Sequence, residues 1–436
     1  MTARQAAVVV RDRGETWANR MADAFTSTGV APLLVTAPCT EAQREAFLEH
    51  FDDVFEVEDP FDSTQLHAAA LALAERTRLD LRGMTTCSDG VIVPTIAAAH
   101  ALGLRAGGAA AFEAARDKHR MRRVLERHGC ANPAFELLRC PDDLPAGADR
   151  VGLPAVVKPI SGTAGHGVVR VESLEELQAG YAAMAATLHD EPQLAEMYAG
   201  AARRREEGQP DPRHAALLEA ALVGPELCVD LVVRGDEVEV TPIIDKFLID
   251  DRFFECGFRH PASLDARTAA LVEAEVRRAI GALGLQDTVA HVEVIVDERL
   301  GPTVVEVNAG RPGGQLISEL LRLIAGVDIV GEMVSIAVGA APPPRPAPPL
   351  PIPLATLSIF PDRDGRLLEI RGLDAVADLP DVYGVYPLVG PGALLSTAFE
   401  TFAVVVLADA SDGDDALREL REQAVGLVEF VVEDDS

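Results

Sequence analysis

Between residues 5 and 110, short apolar runs alternate with longer amphipathic segments. That alternation restricts the possible folds more than any other feature. Residues 6–10, 31–37, 54–57 and 83–87 read as strands. Helices are expected over 16–28, from Thr40 to about His50, from Ser63 to Arg78 and over 91–102, with Gly29 as a stop and Thr40 and Ser63 as caps. Strands alternating with helices imply a parallel sheet covered on both faces, an α/β fold. Ligands of such sheets sit beyond the carboxyl ends of strands, so the loops 11–15 and 87–90 are the places to look. No G-x-G-x-x-G follows the first strand, which disfavours a dinucleotide fold.

The stretch 289–315, VAHVEVIVDERLGPTVVEVNAGRPGGQ, reads as two strands joined by a turn at 297–302. Side chains alternate with period two, so Glu293 and Glu306 come side by side if the strands are antiparallel neighbours, and Asn308 shares a face with Glu306. Two carboxylates and an amide oxygen are hard ligands suited to Mg²⁺. The same residues also describe an ordinary solvated hairpin. Arg311 and the flexible Pro312-Gly313-Gly314 follow, which sets an anion binder beside the cation candidate. Earlier, a strand over 153–158 ends in Lys158. It runs into Pro159-Ile160-Ser161-Gly162-Thr163-Ala164-Gly165-His166-Gly167 before a strand at 168–171. Such a loop can fold its amides over phosphates. It is not a Walker loop, because no G-K-[ST] opens a helix.

The remaining segments read as a charged helix over 112–128, a helix over 173–188 and a polar loop over 202–213. Paired strands at 227–233 and 238–244 and a polar loop at 245–261 follow. Further helices are expected over 264–283, over 316–324, and from a cap at Asp328 to Val338. Residues 341–353, APPPRPAPPLPIP, favour extended geometry and read as a spacer. Strands at 356–360, 367–371, 382–387, 402–408 and 428–432, with a helix over 414–424, give a small α+β domain. A net charge of −30 repels phosphate backbones, so nucleic acid is disfavoured and any polyphosphate site must be made locally. No apolar run approaches the ~20 residues of a membrane helix, and the start reads as neither signal peptide nor anchor. Six cysteines without C-x-x-C spacing read as reduced thiols of a cytoplasmic protein.

Lys118 stands early in a helix, and Lys158 precedes the glycine loop. Glu219 to Glu226 (EAALVGPE), Glu293, Glu306-Val307-Asn308 and Arg311 come after them. This succession resembles the ATP-grasp superfamily of carboxylate–amine ligases and, within it, the L-amino acid ligase group, which makes dipeptides and related amides. The resemblance covers nearly the whole chain. It implies an N-terminal α/β domain over 1–110, an ATP-grasp fold over 111–340 with a glycine-loop subdomain at about 150–225, a linker at 341–353 and a C-terminal α+β domain over 354–436.

The resemblance also implies residue roles. Lys118 and Lys158 would contact the phosphates of ATP, and Ser161, Gly162, Thr163, Gly165 and Gly167 would form a mobile flap. Glu219 would open a hinge whose backbone, at Ala220, Ala221 and Leu222, meets adenine, and Glu226 would bind ribose. Glu293, Glu306 and Asn308 would hold one or two Mg²⁺, with Mn²⁺ as a substitute. Arg311 and Lys158 would be catalytic, Arg311 holding the substrate carboxylate and Gly313 and Gly314 adding amides. Lys246, Glu255, Phe258 and His260 fall in the family's substrate segment, with Glu255 facing a substrate amino group. Two departures stand out. Two residues, Ala309 and Gly310, separate Asn308 from Arg311 where the family has one. Phe258 stands where the family often has His, which suggests a more apolar pocket, with His260 either a substitute or a plain loop histidine. The implied reaction activates a small carboxylate, such as an amino acid, to an acyl phosphate and passes it to an amine. A carrier-protein arm is the alternative acceptor, and a biotin-carboxylase-like reaction the alternative chemistry. A homodimer is compatible; nucleic acid and membrane are not implied as partners.

Overall fold

A computed structural model of the chain describes residues 4–12, 18–162, 165–190, 192–203, 205, 208–249, 254–347, 353–397 and 401–433. The first unit alternates as expected: β1 Gln5–Arg11, α1 Ala18–Ser27, β2 Ala31–Thr36, α2 Glu41–Leu48, β3 Asp53–Glu56, α3 Ser63–Thr77, β4 Asp80–Thr85 and α4 Ile92–Ala101. Its strands are parallel, in the order β3-β2-β1-β4. Every residue of β2 is buried, as befits a strand covered on both faces. Thr40 and Gln43 form a capping box on α2. On α3 the cap is Asp62, one residue before Ser63, because its carboxylate accepts from the Thr64 amide.

The charged run expected as one helix is two, α5 Ala109–Arg116 and α6 Lys118–Arg127. Asp117 breaks it: its carboxylate accepts from the Arg120 amide and caps α6. Lys118 is therefore the first residue of a helix, with its own amide on Ile160 O at 2.7 Å.

A four-stranded antiparallel sheet follows, in the order β5-β8-β6-β7. It is built from β5 Phe135–Leu138, α7 Leu144–Val151, β6 Ala155–Pro159, β7 Val169–Val171, α8 Leu174–Asp190, α9 Pro192–Arg203 and β8 Ala216–Ala220. The sequence did not announce α9, which carries the buried Tyr198.

The central sheet draws on β9 Glu226–Arg234, β10 Glu237–Val240, β11 Ile244–Ile249, β12 Glu255–His260, β13 Thr288–Asp297 and β14 Gly301–Ala309, with α10 Ala266–Leu283, α11 Gln315–Ala325 and α12 Ile329–Val338. The C-terminal segment contributes β15 Leu354–Ile359, β16 Gly365–Arg371, α13 Leu373–Ala377, β17 Val382–Pro387, β18 Leu394–Leu395, β19 Val404–Asp409, α14 Asp414–Leu427 and β20 Glu429–Val432. One sheet runs β14-β13-β9-β11-β12-β15-β19-β17 with β10 on β9, while β18-β16-β20 form a small sheet. The C-terminal strands β15, β17 and β19 thus extend the central sheet. The polar stretch at 245–261, expected as a loop, contains the strand pair β11–β12. Its polar residues are compatible with strands because they are paired: Arg259 bonds Asp245 at 2.6 Å and also holds Asp414.

The described part of the proline-rich stretch, 341–347, is strapped to the fold. Arg345 bonds Glu239 and the buried Glu332, and a Cβ on Gly326 would lie 2.1 Å from Pro346 O. Among the described residues no helix is long and apolar enough to cross a membrane.

Candidate nucleotide and acyl-substrate site

A cavity of about 810 Å³ is lined by the glycine loop, the β13–β14 hairpin, the turn after β8, the β11–β12 pair, the loop after β4 and C-terminal residues around Leu388 and Phe402. It gathers Lys118, Lys158, Gly162, Gly165, Glu219, Ala220, Ala221, Leu222, Glu226, Lys246, Glu255, Phe258, Glu293, Glu306, Asn308, Arg311, Gly313 and Gly314. Thr163 lies outside the described residues. Three expected residues do not line the cavity. Ser161 borders a smaller space of about 130 Å³, its carbonyl held by the Tyr198 hydroxyl. Gly167 has φ +72, and a Cβ there would sit 3.0 Å from Met184 and 3.2 Å from Pro159, so close packing requires glycine. His260 ends β12 with its ring on Ile243 O at 3.1 Å, and burial lowers its pKa.

At one end, Val156, Val168, Ile295 and Val305 form an apolar slot beside 220–222. The amides of Ala220, Ala221 and Val223 are committed to Ala134 O, Pro154 O and the Asp297 carboxylate. The Leu222 amide has no partner among the described residues and can serve a ring nitrogen. Beneath the slot, Glu219 accepts from Lys158 at 2.6 Å and from Arg122. Burial pushes the Glu219 carboxyl up, but the two cations outweigh it and hold the group at about 2. Burial, with help from the Arg122 and Lys118 charges, lowers the Lys158 pKa although Glu219 raises it. The two partners shift differently because Glu219 answers two cations, while Lys158 is also repelled by the neighbouring Arg122 and Lys118. Arg122, fully buried, also donates to the Val304 and Val305 carbonyls and so ties α6 to β8 and β14.

Lys246 occupies the middle. Its ammonium lies 2.6 Å from Glu255, 2.8 Å from Glu226 and 3.3 Å from Glu293. Burial opposes its charge, but three carboxylates raise its pKa well above the usual value. Its three N–H donors can each meet one carboxylate, but its single charge cannot balance three. Burial, together with the neighbouring Glu293 charge, raises Glu226.

On the hairpin, Glu293 pairs with Glu306 and His291 with Asn308 across the strands, as the alternation implied. Carboxylates directly opposite each other repel. Here Lys118 donates to Glu306 at 2.8 Å and Lys246 stands at Glu293. Burial works against the Glu293 charge, yet Lys246 and His291 keep its carboxyl well below the usual range. The pair therefore demands positive charge, and its oxygen donors fit Mg²⁺. No three His, Cys, Asp or Glu side chains among the described residues form a ready metal cluster; the third donor would be the Asn308 amide oxygen.

Beyond the hairpin, Arg311 bonds Asp89 of the first unit at 2.7 Å. The Gly313 amide donates to Asp230 at 3.0 Å, which commits one of the two amides expected to face substrate. The Gly314 amide has no partner among the described residues. His291 Nδ1 donates to the same Asp230 carboxylate at 2.6 Å. Asp230, His291, Arg122 and Asp89 were not foreseen. A lone carboxylate inside the apolar run LCVDLVV was the available signal for Asp230. The cavity lining also includes the apolar Ile249, Phe258, Leu316, Ile317, Leu388 and Phe402. Cys87 also lines it, and burial pushes its thiol up to about 12, so it stays neutral.

The chain is similar to known proteins. An ATP-grasp domain is matched over residues 151–319, and L-amino acid ligase C-terminal domain 2 over 358–433. The D-alanine–D-alanine ligase of Bordetella pertussis is 30% identical over 299 residues, covering 64% of this chain and 84% of that protein. An uncharacterized protein of Sinorhizobium fredii is 26% identical over 338 residues, covering 76% of this chain and 64% of that protein. Across several curated relatives the chain spans 49 to 64% of their length. L-amino acid ligase from Bacillus licheniformis shares the fold, with a TM-score of 0.76 over 99% of this chain and 100% of that one at 19% identity. The chain belongs to the ATP-grasp family of carboxylate–amine ligases and carries a C-terminal domain of the L-amino acid ligase type.

Proposed function

We propose that this chain is an ATP-dependent ligase that joins a small carboxylate to an amine through an acyl phosphate. The gathering of these groups around one cavity carries this reading: apolar residues with an open amide, lysines, paired carboxylates and Arg311. The slot would take adenine, with the Leu222 amide on the ring and Glu226 accepting from ribose hydroxyls. Lys118, Lys158 and Lys246 would turn from their carboxylates to the phosphates as compact point charges. Glu293, Glu306 and Asn308 would hold Mg²⁺, or Mn²⁺ in its place. The ion would neutralise phosphate oxygens as charge moves onto ADP.

Arg311 would pair with the acyl carboxylate and align one of its oxygens with the γ-phosphorus. That oxygen bonds to phosphorus as the bond to ADP breaks. The amine then adds to the acyl carbon, and Arg311 with the Gly314 amide stabilises the oxyanion. Phosphate leaves with the oxygen that came from the carboxylate, and the amine proton passes to solvent. The glycine loop would keep water from the acyl phosphate. The apolar lining favours an amino acid-like substrate with an apolar side chain. A carboxylate labelled with ¹⁸O tests the route. Labelled phosphate formed in step with amide supports it, and unlabelled phosphate contradicts it.

A further inference from the structure

The path of the chain into Arg311 departs from the strand before it. β14 ends at Ala309, and Gly310 takes a left-handed φ of +91. A Cβ on Gly310 would lie 2.7 Å from Ile92 and 3.2 Å from Phe112. Any side chain there would be strained and would collide with the wall formed by α4 and α5. The turn delivers Arg311 to the loop after β4, where its Nε donates to Asp89 Oδ1 at 2.7 Å. The same oxygen accepts from Arg116 Nη1 at 2.7 Å. Arg311 Nη1 donates to the neighbouring Pro312 O at 3.0 Å. Nε and Nη1 are thus held, while Nη2 keeps both N–H donors without a partner among the described residues. A long side chain loses much rotamer freedom when ordered, so an aimed arginine needs a partner that holds it.

We propose that Asp89 is a positioning residue: by fixing Nε of Arg311 it presents Nη2 to the carboxylate of the acyl substrate. The first α/β unit thereby sets the acyl geometry without touching the nucleotide. This inference rests on the ligase reading. Asp89 acts through Arg311 and is itself steadied by Arg116. A purely structural role, docking the first unit onto the central sheet, makes a different prediction, and the fold supplies the control. Arg105 bonds Asp287 at 2.6 Å and joins the same two units, with neither residue lining the cavity.

The test compares wild type, Asp89→Asn, Arg116→Gln and Arg105→Gln by steady-state ADP release and by calorimetric binding of Mg·ADP. Asp89→Asn should lower kcat/KM for the carboxylate substrate about 10- to 100-fold, as a misplaced reactive group does. Its KM for ATP and its Mg·ADP affinity should stay at wild-type values. Arg116→Gln should show a smaller loss of the same kind and decides the matter if Asp89→Asn does not fold. Arg105→Gln should leave carboxylate kinetics unchanged. Wild-type carboxylate kinetics in Asp89→Asn, equal losses toward ATP and carboxylate, or the same loss in Arg105→Gln would each overturn the inference alone. A wild-type protein inactive with every carboxylate and amine would overturn the ligase reading and this inference with it.

Discussion

Lys118, the first residue of α6, meets Glu306 of β14 at 2.8 Å across 188 positions of sequence. Glu306 faces Glu293 across the hairpin, so the lysine supplies charge to a site that requires it. Replacing Glu306 by Gln keeps the shape and removes one charge. Mg·ADP affinity should fall at least about tenfold, or ~1.4 kcal/mol, while metal-free ADP binding falls less. Calorimetry with Mg²⁺ and with a chelator reads both. Equal losses in the two conditions would separate Glu306 from the metal.

Glu219 gives a stability prediction. Its folded pKa of about 2 lies below the ordinary 4.5. The stabilisation it contributes is therefore present above pH 4.5 and lost as pH falls from there toward 2. Glu219→Gln leaves Arg122 and Lys158 facing a neutral group. It should lower stability at pH 7 by on the order of 3 kcal/mol and flatten the decline below pH 4.5. Urea unfolding at both ends of that window checks it; matching curves would deny the pair its role.

Lys246 predicts the opposite slope. Its loss in Lys246→Met leaves Glu226, Glu255 and Glu293 clustered. Glu226 is already raised by burial and by its neighbours. A raised carboxyl contributes stability at low pH that is lost as pH rises through its folded pKa. The variant should be roughly 3 to 5 kcal/mol less stable at pH 7 and recover part of that on acidification toward the carboxylate range. A variant that only weakens further in acid would show that the three carboxylates do not share Lys246.

The apolar lining of the cavity predicts selectivity. Leu388→Asp sets a charge in the cavity that Phe402 and Phe258 also line. It should lower kcat/KM for an apolar amino acid substrate roughly tenfold and leave Mg·ADP affinity unchanged. Selectivity identical to wild type would place the substrate side chain elsewhere.

Much of this was legible in the sequence. The β13–β14 register followed from alternation and a turn, and the first unit from its strand–helix order. What escaped depended on neighbours distant in sequence. Asp230 and His291 meet because β9 lies beside β13. Arg122 looked like any helical charge until β8 and β14 closed over it. The β11–β12 pair is hidden in the sequence because Asp245, Lys246, Glu255 and Arg259 look solvated yet are paired in place. The extra residue before Arg311 proved to be a tight turn at Gly310, packed on Ile92, which redirects the arginine to Asp89.

The most direct test is ADP release in Mg·ATP across a matrix of carboxylates and amines, with amide product measured alongside. The ligase account predicts release that needs both partners, amide formed in step with ADP, and loss of both in Lys158→Ala and Glu306→Ala. Release driven by bicarbonate without an amine, no release with any pair, or near-normal turnover in either variant would contradict it.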